Sequence, residues 1–214
     1  MSLIFHATAL SSYSAKVRIV LCVKQVPFEE RAPEHGYRSP EYRAVVPMGT
    51  LPAIQEGDWV LSESEAINEY LEERFPEPAM LPDDLKERAS VRFLARFHDL
   101  HLEPVARRLF PQVRAAHRDQ TLIAEQRAHI EARLVQLNRL VSPAPWLAGH
   151  RITLADCGFL VTVPLIRRVL GVLGHKLAVP AAIDAWLAQA ASNEALERAL
   201  APWRAATDTW LAGS

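Results

Sequence analysis

The sequence predicts a small α/β domain followed by an all-helical domain. Three observations carry this. Strand-like patterns occur only in the first third of the chain. A break, "FPEPAMLPDD", with prolines at Pro76, Pro78 and Pro82, follows them. Beyond it, every long segment repeats its apolar residues at helical spacing. Strands first and helices afterwards, split by a proline-rich hinge, give two differently built layers. The chain has 214 residues, which suits one or two domains.

Each element has its own signal. Leu3 to His6, "LIFH", reads as a short strand, and Ser14 to Lys24 as a helix with Val17, Ile19, Val20 and Val23 on a wide apolar face. "PFEERA", opened by Pro27, reads as a second strand, and Ser39 to Ala44 as a short helix. "LPAIQ" and "WVLS" flank Glu56-Gly57-Asp58 as a hairpin would. Glu63 to Phe75 is helical, with Ile67, Tyr70, Leu71 and Arg74 at helical spacing. The order is β-α-β-α-β-β-α. A linker runs from about Pro76 to Asp84. Arg88 to His117 and Thr121 to Leu140 read as two long amphipathic helices, the second broken by Pro143 and Pro145. "ITLADCGFLVTVPLIRRVLG" is a further helix with Pro164 inside it. Ala181 to Ala191 and a shorter piece near Asn193 to Leu200 complete the chain.

Composition excludes several classes of function. Half the residues are hydrophobic, 23% are charged and the formal net charge is −1. That balance is ordinary for a globular protein and leaves no nucleic-acid footprint. Arg107, Arg108, Arg114 and Arg118 gather locally, as a solvated helix face does. The two cysteines, Cys22 and Cys157, are isolated and sit in apolar helical patterns, as buried free thiols of a reduced compartment do. No apolar run reaches the ~20 residues that span a bilayer. "CGFLVTVPLI" is too short and meets Arg167 and Arg168. No secretory signal pattern opens the chain. The expectation is a cytoplasmic protein without membrane, metal or nucleic-acid partners. His98, Asp99, His101 and Glu103 could suggest a metal, but His98 and His101 are spaced i, i+3 with no third ligand evident, and a packed or solvated helix face accounts for them.

Two polar clusters sit at helix starts. Ser11-Ser12-Tyr13-Ser14 opens the first helix, and Ser62-Glu63-Ser64-Glu65 opens the helix after the hairpin. Read alone, each is an ordinary cap. A helix start also presents unpaired N–H groups and a positive dipole end, where an anion belongs. "ITLAD" carries a capping box, Thr153 with Asp156, which is read as structural.

Taken together, these motifs resemble the cytosolic glutathione transferases, most of all the zeta class. That class opens its first helix with a serine-rich S-S-C-x-W-R-V-R-I-A-L run, matched here by Ser11 to Leu21. "PMGTLPAI", "SESEAINEYLEE", "MLPDD" and "ITLAD" continue the likeness in order, over nearly the whole chain. The resemblance implies a thioredoxin-like glutathione-binding domain over residues 1–80 and an all-helical domain over 86–214 that contributes the electrophile pocket. It implies glutathione as co-substrate, a small electrophilic substrate and a homodimer.

Site roles follow from the same resemblance. Ser11, with Ser12 as neighbour or substitute, faces the glutathione sulfur and holds it as thiolate. Leu51-Pro52, with its peptide bond in cis, pairs with the cysteinyl backbone as an added strand. Glu63 meets the γ-glutamyl ammonium and Ser64 its carboxylate. Tyr13 stands where the zeta class carries cysteine, and Ala15 and Lys16 replace its tryptophan and arginine. Tyr13 and Arg168 are the substrate-facing candidates, Arg168 where the class tends to place a basic residue for an acidic substrate. Gly49 departs from the family, whose members often place a polar or basic side chain near there for the glycyl carboxylate. A competing class shares the fold: the stringent starvation protein A type, a non-catalytic regulator that binds RNA polymerase. Its Pro-His-Pro-Pro patch is replaced here by Pro76-Glu77-Pro78-Ala79, and the Ser11-Ser12 pair is present.

Overall fold

A computed structural model describes residues 3–213. The chain divides into two compact units. One runs to Met80 and takes in Glu194–Ala206; the other is Leu81–Asn193 with the residues from Thr207 onward.

The first unit has the thioredoxin-like fold. Its order is β1 (Leu3–His6), α1 (Ser12–Val23), β2 (Phe28–Arg31), α2 (Pro40–Val45), β3 (Ala53–Glu56), β4 (Trp59–Ser62) and α3 (Ser64–Arg74). The strands form one sheet in the order β2-β1-β3-β4, with β1 and β2 parallel and the other pairs antiparallel. Gly57, with φ 61, makes the tight β3–β4 turn that a side chain would disfavour. Phe5, Ile54, Val17, Val20, Leu21, Ile67 and Leu71 are fully buried. Each such side chain contributes roughly 1.5–3 kcal/mol of burial. Helix α1 ends where Gln25 turns left-handed at φ 53 and the Val26 N–H bonds the Leu21 carbonyl at 3.0 Å. Lys24, just before that turn, is buried: its ammonium meets Glu72 Oε2 at 2.5 Å and donates to the Phe75 and Pro78 carbonyls at 2.7 and 2.9 Å.

The second unit is helical. It holds α4 (Leu85–Phe97), a π-helical turn (His98–Leu102), α5 (Glu103–Arg107), α6 (Phe110–Val113), α7 (Gln120–Leu140), α8 (Leu154–Val172) and α9 (Ala181–Ala190). Helix α10 (Glu194–Ala212) has residues in both units. Two expectations are corrected here. The single helix expected from Arg88 to His117 is four segments. Pro104 and Pro111 each open a new short helix because a proline has no N–H for the preceding turn. The π-turn absorbs the first break: the Glu103 N–H reaches five residues back to the His98 carbonyl. The short piece expected to end near Leu200 instead continues through Pro202 to Ala212. Buried Leu196, Ala199, Leu200, Trp203, Thr207 and Leu211 recur at helical spacing, and that burial outweighs the lost hydrogen bond.

The histidine cluster is packing. His98 is buried, with Nδ1 at 2.8 Å from Asp99 and Nε2 at 2.8 Å from the Thr162 hydroxyl, which donates to Glu103 at 2.6 Å. Arg107 closes the chain on Glu103 at 3.0 Å. Gly158 on α8 lies against the ring: a Cβ there would stand 2.4, 2.6 and 2.7 Å from three His98 ring atoms. The ring is held at both nitrogens and cannot swing aside. Gly158→Ala is therefore expected to lower stability by about 1–3 kcal/mol, read from the urea midpoint, through overpacking alone.

Candidate functional site

The sheet register assembles one end of the first unit. His6, the last residue of β1, pairs with Ala53, the first of β3, and Ala53 pairs with Ser62, the last of β4. Three chain segments therefore leave the sheet from one row. One leads from β1 to Ser11 and α1. The second arrives at β3 through Leu51-Pro52. The third leads from β4 into Glu63, Ser64 and α3.

The start of α1 is both capped and available. Ser11 is the N-cap residue, and its Oγ accepts the Ser14 N–H at 3.1 Å. Accepting that bond leaves the Ser11 O–H able to donate, and polarises it for doing so. Ser11 is half-buried, as is Tyr13, whereas Ser12 is buried. The first turn of α1 has no acidic side chain, so nothing of its own sequence neutralises the positive end of the helix.

The Leu51–Pro52 peptide bond is cis, in agreement with the sequence expectation. Pro52 is buried and Leu51 half-buried. The ladder begins at Ala53, so Leu51 lies beyond the paired strands. Tyr42 of α2 steadies the approach, its hydroxyl donating to the Thr50 carbonyl at 3.0 Å. Burial pushes that phenol upward, so it keeps its proton.

Glu63 carries the clearest backbone signal. It is the N-cap of α3 with φ 78 and ψ 111, and its side chain makes no capping bond. A positive φ in a non-glycine residue costs of order 1–3 kcal/mol and persists where its surroundings impose it. Ser64 follows as the first helical residue and is buried.

One cation near this end was not evident in the sequence. Arg43 of α2 fills the space a side chain at residue 49 would need: a Cβ on Gly49 would lie 2.9 Å from Arg43 Nε. Gly49 also has φ 57. The missing side chain was the signal, since it is what admits the arginine. Arg168 belongs to the other unit, where its guanidinium is paired with the Asp208 carboxylate. Among the described residues, no three His, Cys, Asp or Glu side chains stand together as metal ligands, and no helix is long and apolar enough to cross a membrane.

Comparison with known proteins agrees with this geometry. Residues 5–79 match the model of the glutathione S-transferase N-terminal domain. A glutathione S-transferase of Pseudomonas putida is 33% identical over 165 residues, 77% of this chain and 74% of that protein. The chain belongs to the glutathione S-transferase family. Its likeness to the zeta class also holds: a maleylacetoacetate isomerase of Pseudomonas aeruginosa is 33% identical over 201 residues, 87% of this chain and 86% of the isomerase. Among solved structures, a theta class glutathione S-transferase of Xanthomonas axonopodis with glutathione bound superposes with a TM-score of 0.77 at 25% identity, covering 93% of this chain and 97% of that one.

Proposed function

We propose that the protein is a cytoplasmic, homodimeric glutathione transferase whose first domain binds glutathione and activates its thiol, while its helical domain recognises a small electrophile. The observation that carries this is the His6–Ala53–Ser62 row, which sends two helix starts, a cis proline and a strained glutamate to one end of the sheet. Glutathione has an anionic γ-glutamyl end, a peptide backbone and a thiol, and the residues here offer a counterpart for each. Ser64 and the unpaired N–H groups of α3 take the γ-glutamyl carboxylate, and Glu63 its ammonium. Leu51 pairs with the cysteinyl backbone in strand fashion. Arg43, admitted by Gly49, takes the glycyl carboxylate. The Ser11 hydroxyl, aided by the positive end of α1 and with Ser12 behind it, donates to the sulfur and favours the thiolate.

The chemistry is then nucleophilic. The thiolate attacks an electrophilic carbon and forms a C–S bond. In conjugation that bond is the product. In a glutathione-assisted isomerisation, rotation and elimination follow, and glutathione leaves unchanged. Tyr13 in place of cysteine and Ala15 in place of tryptophan distinguish this chain from the zeta pattern. The family resemblance is what assigns Tyr13 and Arg168 to the electrophile.

Calorimetric titration with glutathione tests the binding site. Ser64→Ala, Glu63→Ala and Arg43→Ala are each expected to weaken glutathione by roughly 1.5–3 kcal/mol, the value of a charge-assisted hydrogen bond. Their effect on turnover at saturating glutathione is expected to be small, because their partners lie away from the sulfur. A wild-type protein that takes up no glutathione fits the non-catalytic, polymerase-binding class and ends the transferase reading. Three variants that all bind as tightly as wild type would misplace the site.

A further inference from the structure

The two helices that start at the glutathione site are joined close to it by a buried ion pair. Lys16 of α1 is 1% exposed, and its ammonium stands 2.5 Å from Glu65 Oε2 of α3, a side chain 11% exposed. Neither Glu65 oxygen has a well-directed hydrogen bond, so this pairing is what balances its charge. Glu65 follows Ser64 directly, and Lys16 lies one helical turn beyond Ser12. The same two helices carry other buried polar atoms: Ser14 Oγ of α1 and both side-chain polar atoms of Asn68 of α3 are buried without hydrogen-bond partners. A contact of this kind is poor glue, because burying two charges offsets most of their attraction. What it provides is a definite position, since an ion pair in a low-dielectric setting tolerates little slip.

We infer that Lys16 and Glu65 are positioning residues that fix the distance between the thiolate-holding start of α1 and the γ-glutamyl-holding start of α3. The inference rests on the glutathione-site reading above. One ligand spans both helix starts. Its γ-glutamyl end is seated by α3, and its sulfur reaches Ser11 only if α1 is held in register. A relaxed spacing leaves the ligand bound through α3 with its sulfur misaligned. Affinity then survives while thiol activation falls.

The test replaces both charges together, Lys16→Met with Glu65→Leu, so that no lone buried charge remains. Two quantities are compared with wild type: the Kd of S-methylglutathione, which has no ionisable thiol, and the pH titration of the bound glutathione thiol. The expected result is an S-methylglutathione Kd within about threefold of wild type. The thiol titration shifts upward by about one unit, and kcat falls roughly tenfold, as a small misplacement of a reacting atom produces. Lys16→Arg, which retains the pair, is expected to leave the titration where it was. A purely structural pair would lower the melting temperature and leave the bound thiol's titration unmoved, and that result overturns the inference. If the apolar pair does not fold, the swapped pair Lys16→Glu with Glu65→Lys decides the question. A preserved titration supports positioning, and an upward shift in the swapped pair rejects it in favour of a direct field effect of Lys16. Failure of wild type itself to bind S-methylglutathione would remove the site reading, and the inference with it.

Discussion

Asp156→Asn is expected to cost about 2–4 kcal/mol of stability, a large part of the ~5–15 kcal/mol that holds a domain folded. The carboxylate is fully buried at the start of α8 and gathers four donors. Oδ1 accepts from the Leu147 N–H at 3.0 Å and the Trp186 indole at 3.1 Å; Oδ2 accepts from the Thr153 N–H at 2.8 Å and the Thr153 hydroxyl at 2.9 Å. Asparagine has the same shape and one acceptor oxygen. Whichever way it turns, its NH2 faces a buried N–H. The helix start, the turn at Leu147 and helix α9 are all tied through this one side chain. At ~2–4 °C per kcal/mol for a chain of this size, the melting temperature falls by roughly 4–16 °C.

The pH dependence of that loss has a definite sign. Desolvation by burial raises the Asp156 carboxyl from 3.8 to about 6, against the pull of its four donors. Between those two values the folded state binds more protons than the unfolded state. The stabilisation linked to this proton is therefore fully present below the lower value and is lost as pH rises through about 6. Asparagine does not titrate, so the deficit of Asp156→Asn relative to wild type is expected to be larger at about pH 5 than at about pH 7.5, as urea unfolding at the two pH values can show.

The second large effect is expected from Lys24→Met, which keeps the apolar stem and removes the ammonium. Lys24 and Glu72 are both buried, 6% and 8% exposed. In that variant Glu72 keeps the Met80 N–H, which reaches its two oxygens at 3.0 and 3.1 Å, but loses the ammonium that stands against its buried carboxylate. The Phe75 and Pro78 carbonyls lose the same donor. The expected cost is about 3–5 kcal/mol. Adding Glu72→Gln to Lys24→Met should recover part of it, and a double-mutant cycle measures the coupling. Simple additivity of the two variants would contradict the pairing.

What the sequence made legible was set by local rules. The strand and helix order of the first unit followed from periodicity and from the Glu56-Gly57-Asp58 turn, and the observed elements match it within a few residues. The capping box was readable because Thr153 and Asp156 lie three apart, though its further grip on Leu147 and Trp186 depends on the fold. Periodicity failed where prolines compete with burial. Pro104 and Pro111 divided an expected long helix, whereas Pro202 did not stop α10, whose buried residues continue past it. At the candidate site, the two helix starts were legible because helix starts have a sequence signature. Arg43 was not, since its place beside Gly49 depends on how α2 packs on the following loop. The strained backbone of Glu63 was equally hidden, because nothing in the residue type requires it.

On the proposed reading, the start of α1 holds a thiolate as well as capping a helix. The direct measurement is the thiolate absorbance of the glutathione complex, followed against pH in wild type and Ser11→Ala. Thiol activation predicts a wild-type titration below that of free glutathione. Ser11→Ala then moves it up, each unit corresponding to about 1.36 kcal/mol of lost preference for the anion, while glutathione still binds through Leu51, Glu63 and Ser64. A hydroxyl that only caps, accepting the Ser14 N–H, would lower stability by ~0.5–2 kcal/mol in Ser11→Ala and leave the titration alone. A shift in Ser12→Ala instead would move the role one residue along the chain. An unchanged titration in Ser11→Ala, Ser12→Ala and Tyr13→Phe alike would contradict the account.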